Sequence, residues 1–424
     1  MLELHELSRI GFGCYRISRN SSEHYEALSH ALASGCNLID TAANYTNGES
    51  ELLIGEVLAN HCGHYPFLIT KAGYVQGDSL ILLEELNRVG RAREDLVRTS
   101  NGSMHSINVD FLDSQIKLSC RRLKRSQLDG LLLHNPEYYF GQIDGATSQD
   151  EYYARIKKAF QFLEEKIEQG CIRYYGISSN TFPFSTSHES TTNLSRLLAL
   201  AEEVSENHHF KLIQFPFNLI ENDAQMVHHE GRSLIEIAQA SGIVTLINRP
   251  LNANSGNGPV RLATYEEEIH GLEEERDNQL LEECLGLIRQ RLDEVGIDDD
   301  VMEFVPLQVV SCSWSSFSSP DVVDQVFDQH VFPFLNKLYE GSIDEEVLNS
   351  FMKLRHIAVL YAKRSMTRKA RTFRQRMIEQ GIIARSDDRP LPVIACQSYL
   401  DAGINHVLVG MRSPKYVDSL ISLF

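Results

Sequence analysis

Apolar residues recur along the chain in two alternating patterns. Short runs rich in Ile, Leu, Val and Phe fall at 10–14, 37–42, 66–72, 128–134, 172–178, 210–217, 243–251 and 406–411. Most are near-continuous, which is how strands buried on both faces read in a parallel sheet. Between them lie amphipathic stretches at 23–33, 51–59, 111–123, 152–168, 194–204 and 233–240, with apolar positions at helical spacing. Gly35, Gly170 and Gly242 stand where such helices should stop. Strand and helix signals alternating in this order predict a (β/α)8 TIM barrel rather than an open sheet.

Two stretches exceed the simple barrel. The segment 73–110, after the third strand, reads as an ordered loop with a short helix. The longer segment, 252–385, reads as a mostly helical insertion between strands seven and eight. Within it Leu281, Leu285, Ile288 and Leu292 fall at i, i+4, i+7 and i+11, and a second helix over 344–380 carries Leu348, Phe351, Met352 and Ala358. The expected organisation is therefore barrel strands one to seven in 1–251, the insertion in 252–385, and the last barrel unit in 386–424. Leaving a β-to-α loop, the insertion is expected on the catalytic face, as a lid over the cleft.

Charge is uneven within that insertion. Its first part is acidic (Glu266, Glu267, Glu268, Glu273, Glu274, Glu275) and its last helix is basic (Lys353, Arg355, Lys363, Arg364, Arg368, Lys369, Arg371, Arg374, Arg376). Solvated helix faces that pair with each other are the first reading, and a nucleic-acid or partner surface at 364–376 is the second. A formal net charge of -18 argues against broad nucleic-acid binding, which needs a basic surface. The cysteines are scattered without C-x-x-C or finger spacing, so no metal site is expected. The start Met1-Leu2-Glu3-Leu4-His5-Glu6 lacks the basic and apolar parts of a signal peptide, and no uncharged apolar run is long enough to span a bilayer. A cytoplasmic protein without membrane partners is the expectation.

The chemistry concentrates where strands end. Leu38-Ile39-Asp40 is followed by Tyr45, Leu68-Ile69-Thr70 by Lys71, and Leu131-Leu132-Leu133 by His134. In a barrel of this type the strand ends share one face. An Asp, Tyr, Lys and His brought there make one proton-transfer site, because a phenol with an ordinary pKa of about 10 needs neighbours to act near neutrality. Taken singly, each of these residues is more often a capping carboxylate, a packed ring, a solvated lysine or a satisfied histidine. Their order and spacing favour the shared site.

The pieces Ile39-Asp40-Thr41-Ala42-Ala43-Asn44-Tyr45, Ile69-Thr70-Lys71, Leu132-Leu133-His134-Asn135-Pro136, Gly176-Ile177-Ser178-Ser179-Asn180, Gln214 and Val409-Gly410-Met411-Arg412 together resemble an aldo-keto reductase. The resemblance covers roughly 6–251 and 388–424. It implies an NADP-dependent oxidoreductase, with NAD as the alternative cofactor, interconverting an aldehyde or ketone, sugars included, with the alcohol. By that similarity Tyr45 is the general acid, Lys71 paired with Asp40 lowers its pKa, and His134 positions the substrate carbonyl.

The resemblance also assigns cofactor contacts. Asp40, Ser178, Asn180 and Gln214 resemble the polar residues that hold the nicotinamide, and Ser179 stands where many members have the Asn, so either neighbour could take that role. Gly410, Met411, Arg412 and Lys415 lie where the last helix opens, with Arg412 the candidate for the adenosine 2′-phosphate and Lys415 an alternative. Many members carry a stacking aromatic where this chain has Asn248, which leaves Tyr15, Phe215 and Phe217 as candidates for an aromatic face. A nucleotide-binding regulatory or scaffold protein that uses the insertion to engage a partner is the second functional reading.

Overall fold

The computed structural model describes residues 2–90, 95–228, 231–255, 258–266, 268–296 and 305–424. Two compact units are present: 1–256 together with 392–424, and 257–391.

The first unit is a closed parallel barrel. Its strands, among the described residues, are β1 (Ile10–Gly13), β2 (Leu38–Asp40), β3 (Phe67–Ala72), β4 (Leu128–His134), β5 (Ile172–Ser178), β6 (Phe210–Pro216), β7 (Val244–Asn248) and β8 (His406–Val409). They follow one another around the ring, and β8 closes it onto β1 through Ile10↔Val407 and Phe12↔Val409. Each lies within a span expected from the apolar runs.

Helices α1 (Ser22–Ala33), α2 (Glu49–Ala59), α4 (Val109–Leu123), α5 (Gln149–Glu168), α6 (Leu194–Val204) and α7 (Leu234–Ala240) alternate with the barrel strands, while α3 (Asp78–Arg88) belongs to the excursion after β3. Their starts are set by side chains that accept otherwise unpaired backbone N–H groups. Ser21 accepts from His24, Asn108 from Asp110 and Phe111, and Ser148 from Glu151; Ser233 and Glu236 form a reciprocal capping box. Gly170 and Gly242 end α5 and α7 with positive φ, a conformation that side chains with a Cβ resist. The excursion after β3 is the expected loop and helix, and it also contains a small antiparallel pair, Val97–Arg98 with Met104–His105.

A side-chain period of two decides what the barrel holds. Leu38, Phe67, Ile69, Leu132, Leu212, Leu246 and Leu408 pack into one apolar cluster inside it, with Leu7. Counting on by two along the same strands gives Asp40, Lys71, His134, Gln214, Asn248 and Gly410, the positions nearest the C-terminal rim. The barrel interior is thus an apolar plug capped by a polar layer.

The second unit is mostly helical. It comprises α8 (Glu274–Val295), α9 (Val305–Ser313), α10 (Pro320–Val326), α11 (Phe332–Leu338) and α12 (Glu345–Glu379). The expected stripe Leu281, Leu285, Ile288 and Leu292 is buried in its core. On α12 the stripe differs from expectation. Val347, Phe351, Leu354, Ala358, Tyr361 and Ala362 are buried, whereas Leu348 and Met352 are 39% and 45% exposed. Each lies one residue, about a 100° turn, beyond a buried neighbour, which carries it off the core-facing stripe. The unit is not wholly helical either, because it opens with the short strand Gly258–Arg261. Two helices follow: α13 (Leu391–Asp401) precedes β8, and the short α14 (Pro414–Asp418) follows it.

The charge asymmetry resolves partly into pairs. Lys363 meets Glu268 at 2.6 Å and Arg371 meets Glu266 at 2.9 Å, while Arg355 bridges Asp324 and Asp328. Glu267 lies outside the described residues. Among the described residues no helix is long and apolar enough to cross a membrane.

Candidate active site

Asp40, Lys71, Tyr45 and His134 meet at the C-terminal rim. Lys71 is buried, and its Nζ donates to Asp40 Oδ2 at 2.7 Å, to the Thr41 carbonyl at 2.9 Å and to the Tyr45 hydroxyl at 3.1 Å. These acceptors match the ammonium's three donors, so its charge is held in place. Tyr45 begins a turn after β2, where its N–H bonds the Ala42 carbonyl at 3.1 Å and Ala43 N–H bonds the Lys71 carbonyl at 3.1 Å. The edge of the half-buried Tyr45 ring meets His134, with centroids 5.9 Å apart.

A buried carboxylate and ammonium tolerate one another only when both are bonded. Here burial raises Asp40, and Lys71 and the Gln214 amide offset part of that rise. Burial alone would lower Lys71, but Asp40 and Tyr45 outweigh it and hold the ammonium above its ordinary value. Burial also raises the Tyr45 phenol, and Lys71 offsets only part of this. Lys71 thus acts in the expected direction, but desolvation outweighs it and the phenol stays protonated through neutral pH. Burial, helped by the Lys71 charge, drives His134 well below its usual value, so its ring is neutral.

The amide layer extends this network around the rim. Gln214 Nε2 donates to Asp40 Oδ1 at 2.8 Å, and its Oε1 accepts from Ser178 Oγ at 3.2 Å and from Asn248 Nδ2 at 3.4 Å. The register sets His134 beside Ser178 and Ser178 beside Gln214. Asn248 Oδ1 is buried without a hydrogen-bond partner among the described residues.

Other expected contacts lie apart from this layer. Ser179 is one residue past Ser178 and has the opposite parity, so it bonds Thr181 and Thr192 instead, at 3.1 and 2.9 Å. Asn180 belongs to a second cluster, in which its N–H donates to Glu137 Oε1 at 2.8 Å and its Oδ1 accepts from Arg249 at 3.2 Å. Gly410 sits at the exposed rim; a Cβ there would meet nothing closer than the Gly13 carbonyl at 3.9 Å. Met411 is fully buried, Arg412 is half-buried near His24, and Lys415 is exposed in the first turn of α14. Of the aromatic candidates, Phe215 and Phe217 are core residues, the latter against Tyr399. Tyr15 alone is exposed, at 62%, with its ring edge on Tyr45 at 5.1 Å.

The supports beneath this layer leave almost no mark in the amino-acid sequence. On the outer face of β3, Thr70 donates to Glu51 at 2.7 Å; Arg122 donates to Glu51 at 3.1 Å and to the Ala43 carbonyl at 3.0 Å. This buried bridge braces the turn that carries Tyr45. Its one signal in the sequence is a charged residue on the apolar face of each of two amphipathic helices.

A sequence profile of the Aldo/keto reductase family matches residues 9–295, more than half of the chain. An uncharacterized oxidoreductase of Bacillus subtilis is 28% identical over 174 residues, covering 41% of this chain and 45% of that protein. D-arabinose 1-dehydrogenase of Saccharomyces cerevisiae is 24% identical over 205 residues, covering 46% of this chain and 50% of that protein. The chain thus spans about half the length of the curated relatives it matches. In fold it resembles a glycerol dehydrogenase from Gluconobacter oxydans, with a TM-score of 0.50 and 17% identity over 99% of this chain and 86% of that one. With its closed barrel and its Asp40, Tyr45, Lys71 and His134 rim, this chain belongs to the aldo/keto reductase family.

Proposed function

We propose that this protein is an NADP-dependent oxidoreductase that interconverts an aldehyde or ketone with its alcohol, using Tyr45 as the proton donor in reduction. The observation that carries this reading is the contact of Lys71 Nζ with both Asp40, at 2.7 Å, and the Tyr45 hydroxyl, at 3.1 Å. A phenol that gives up its proton leaves a phenolate, and an ammonium already held against that oxygen stabilises it without reorganisation. Asp40 keeps the ammonium charged. The neutral His134 ring, edge-on to Tyr45, offers a hydrogen bond to a carbonyl oxygen on which negative charge develops.

The amide layer fits a nicotinamide carboxamide. Asn248 Oδ1 is buried and unpartnered among the described residues, on a side chain that bonds Gln214, to which Ser178 also bonds, so an incoming amide finds both an acceptor and polar neighbours. When bound, the reduced nicotinamide supplies the hydride. Tyr45 supplies the proton, and the sum makes the alcohol. In the reverse direction the phenolate must take the proton, so burial of Tyr45 pushes oxidation toward alkaline pH. Arg412 and Lys415 supply positive charge at the start of α14, which favours the phosphorylated cofactor.

The test is a panel of carbonyls and alcohols with NADPH and NADH. Turnover with NADPH preferred, and oxidation accelerating as pH rises, supports the reading. Tight binding of the nucleotide without turnover on any member of the panel would favour a binding or regulatory protein instead.

A further inference from the structure

His134 lacks the bond that would ordinarily fix an imidazole. Its Nδ1 is buried and has no hydrogen-bond partner among the described residues. A ring that must present one nitrogen to a substrate needs its orientation set some other way. Resting on the functional reading above, the geometry points to His105 as the positioning residue that sets His134, through the main-chain carbonyl of His134 and through Tyr74.

His105 is fully buried, and its Nε2 lies 2.6 Å from the His134 carbonyl oxygen. A carbonyl only accepts, so Nε2 carries the proton and Nδ1 is bare, which agrees with the absence of a partner for His105 Nδ1 among the described residues. Burial lowers His105 to about 4, so this neutral form holds across the working range. The backbone around it is anchored as well. Tyr74 pairs with His105 as an antiparallel bridge, Val75 N–H bonds the Met104 carbonyl at 2.9 Å, and Ser106 N–H bonds the Gly73 carbonyl at 2.9 Å.

The same excursion after β3 supplies a wall for the His134 ring. Tyr74 meets His134 edge-to-face with centroids 4.7 Å apart, and Asn135 Nδ2 donates to the Tyr74 hydroxyl at 2.8 Å. Tyr138 lies near parallel to the His105 ring, 5.8 Å away, and closes the box. Asn135 has φ of 51° and its N–H bonds the Ser178 carbonyl at 2.7 Å, so the chain turns sharply as soon as His134 has been delivered. Gly73 makes the approach possible. A Cβ there would stand 2.6 Å from His105 Nε2 and 2.7 Å from the His134 oxygen, closer than such contacts occur. His105 thus ties the arm after β3 to the end of β4 at the one residue whose ring must point correctly.

The test compares His105→Leu, which removes the donor, with His105→Gln, whose amide nitrogen replaces Nε2. Each is made in the full chain, alone and with His134→Ala. In wild type the expected result for His105→Leu is a fall in kcat of about 30-fold or more with NADPH affinity unchanged, largely restored in His105→Gln. In the His134→Ala background His105→Leu should cost almost nothing further, because two residues acting through one another are not additive. The second readout is independent of turnover: histidine-labelled protein should show the His134 ring resonances shifted and broadened in His105→Leu and near wild type in His105→Gln. Unmoved His134 resonances in folded His105→Leu would overturn the inference, as would equal kcat losses in both backgrounds. Moved resonances in a protein that reduces no carbonyl would keep the inference and discard the functional reading.

Discussion

The barrel and the helical unit treat charge in opposite ways. At the barrel rim the Lys71 and Asp40 side chains are 0% and 5% exposed, and every donor of the ammonium is used. In the helical unit the pairs Arg371–Glu266 and Arg355–Asp328 lie at the surface, while the core is built of Leu, Ile, Val, Phe and Tyr around Cys284 and Trp314. Burying an ion pair costs several kcal/mol per ion before its attraction is counted, so a structure gains little stability that way. On the proposed function the rim accepts that cost because a fixed charge beside Tyr45 does chemistry, whereas in the helical unit the fully buried carboxylate among the described residues, Asp277, is met by Arg276, whose side chain is 55% exposed.

That contrast can be broken by removing one lysine from each region. Lys71→Met leaves Asp40 buried without its partner, and the expected loss is about 3–5 kcal/mol of stability together with about 10³-fold in kcat. Lys363→Met removes a partly exposed partner of Glu268, and the expected change is below about 1 kcal/mol by chemical denaturation. Equal losses would erase the distinction.

A pH titration sharpens it. Burial raises the Glu137 carboxyl to about 7. The folded state then holds a proton that the unfolded chain releases near its ordinary value, so the contribution of Glu137 to stability is greatest below about 4.5 and is lost as pH rises to about 7. That contribution is on the order of 3 kcal/mol and runs against the gain that the lowered His105 brings over the same range, so it is read as the difference between wild type and Glu137→Gln. The melting temperature measured across that range checks the sign. A wild-type advantage over Glu137→Gln that grows as pH rises would contradict the assignment.

Gln214→Leu is a smaller perturbation within the rim. It strips one hydrogen bond from Asp40 and leaves Ser178 and Asn248 without their shared acceptor, an expected cost of about 1–3 kcal/mol. Nucleotide affinity, measured by quenching of intrinsic fluorescence, should fall with it. The smallest effect is expected at Tyr15, whose exposed ring touches the site only at the edge of Tyr45. Tyr15→Ala should raise KM a few-fold and leave stability within about 0.5 kcal/mol.

Much of the rim was legible in the sequence because strands carry their own ruler. Once Leu38, Ile69 and Leu132 are taken as interior, Asp40, Lys71 and His134 must face the same way, and the alternation that places Ser178 inward sends Ser179 outward. Linear order could not decide between Ser178 and Ser179 without the strand's phase. The supports were hidden for another reason. Glu51 and Arg122 are separated by 71 residues, and His105 and His134 by 29, so each pair exists only after the chain has closed. The net direction of the Tyr45 shift was equally out of reach, since it depends on how deeply the hydroxyl is buried. On α12 the difficulty was local: Phe351 and Ala358 are buried as expected, but among the apolar residues around them only packing chose Val347 and Leu354 over Leu348 and Met352.

The central claim is that Tyr45 delivers the proton while the rest of the rim holds the reactants. It is tested most directly by single-turnover hydride transfer in Tyr45→Phe, followed by loss of nicotinamide absorbance, beside the NADPH dissociation constant of the same variant. The account predicts a rate lowered by about 10²–10⁴-fold with the dissociation constant within about twofold of wild type. A transfer rate near wild type, with affinity intact, would contradict it.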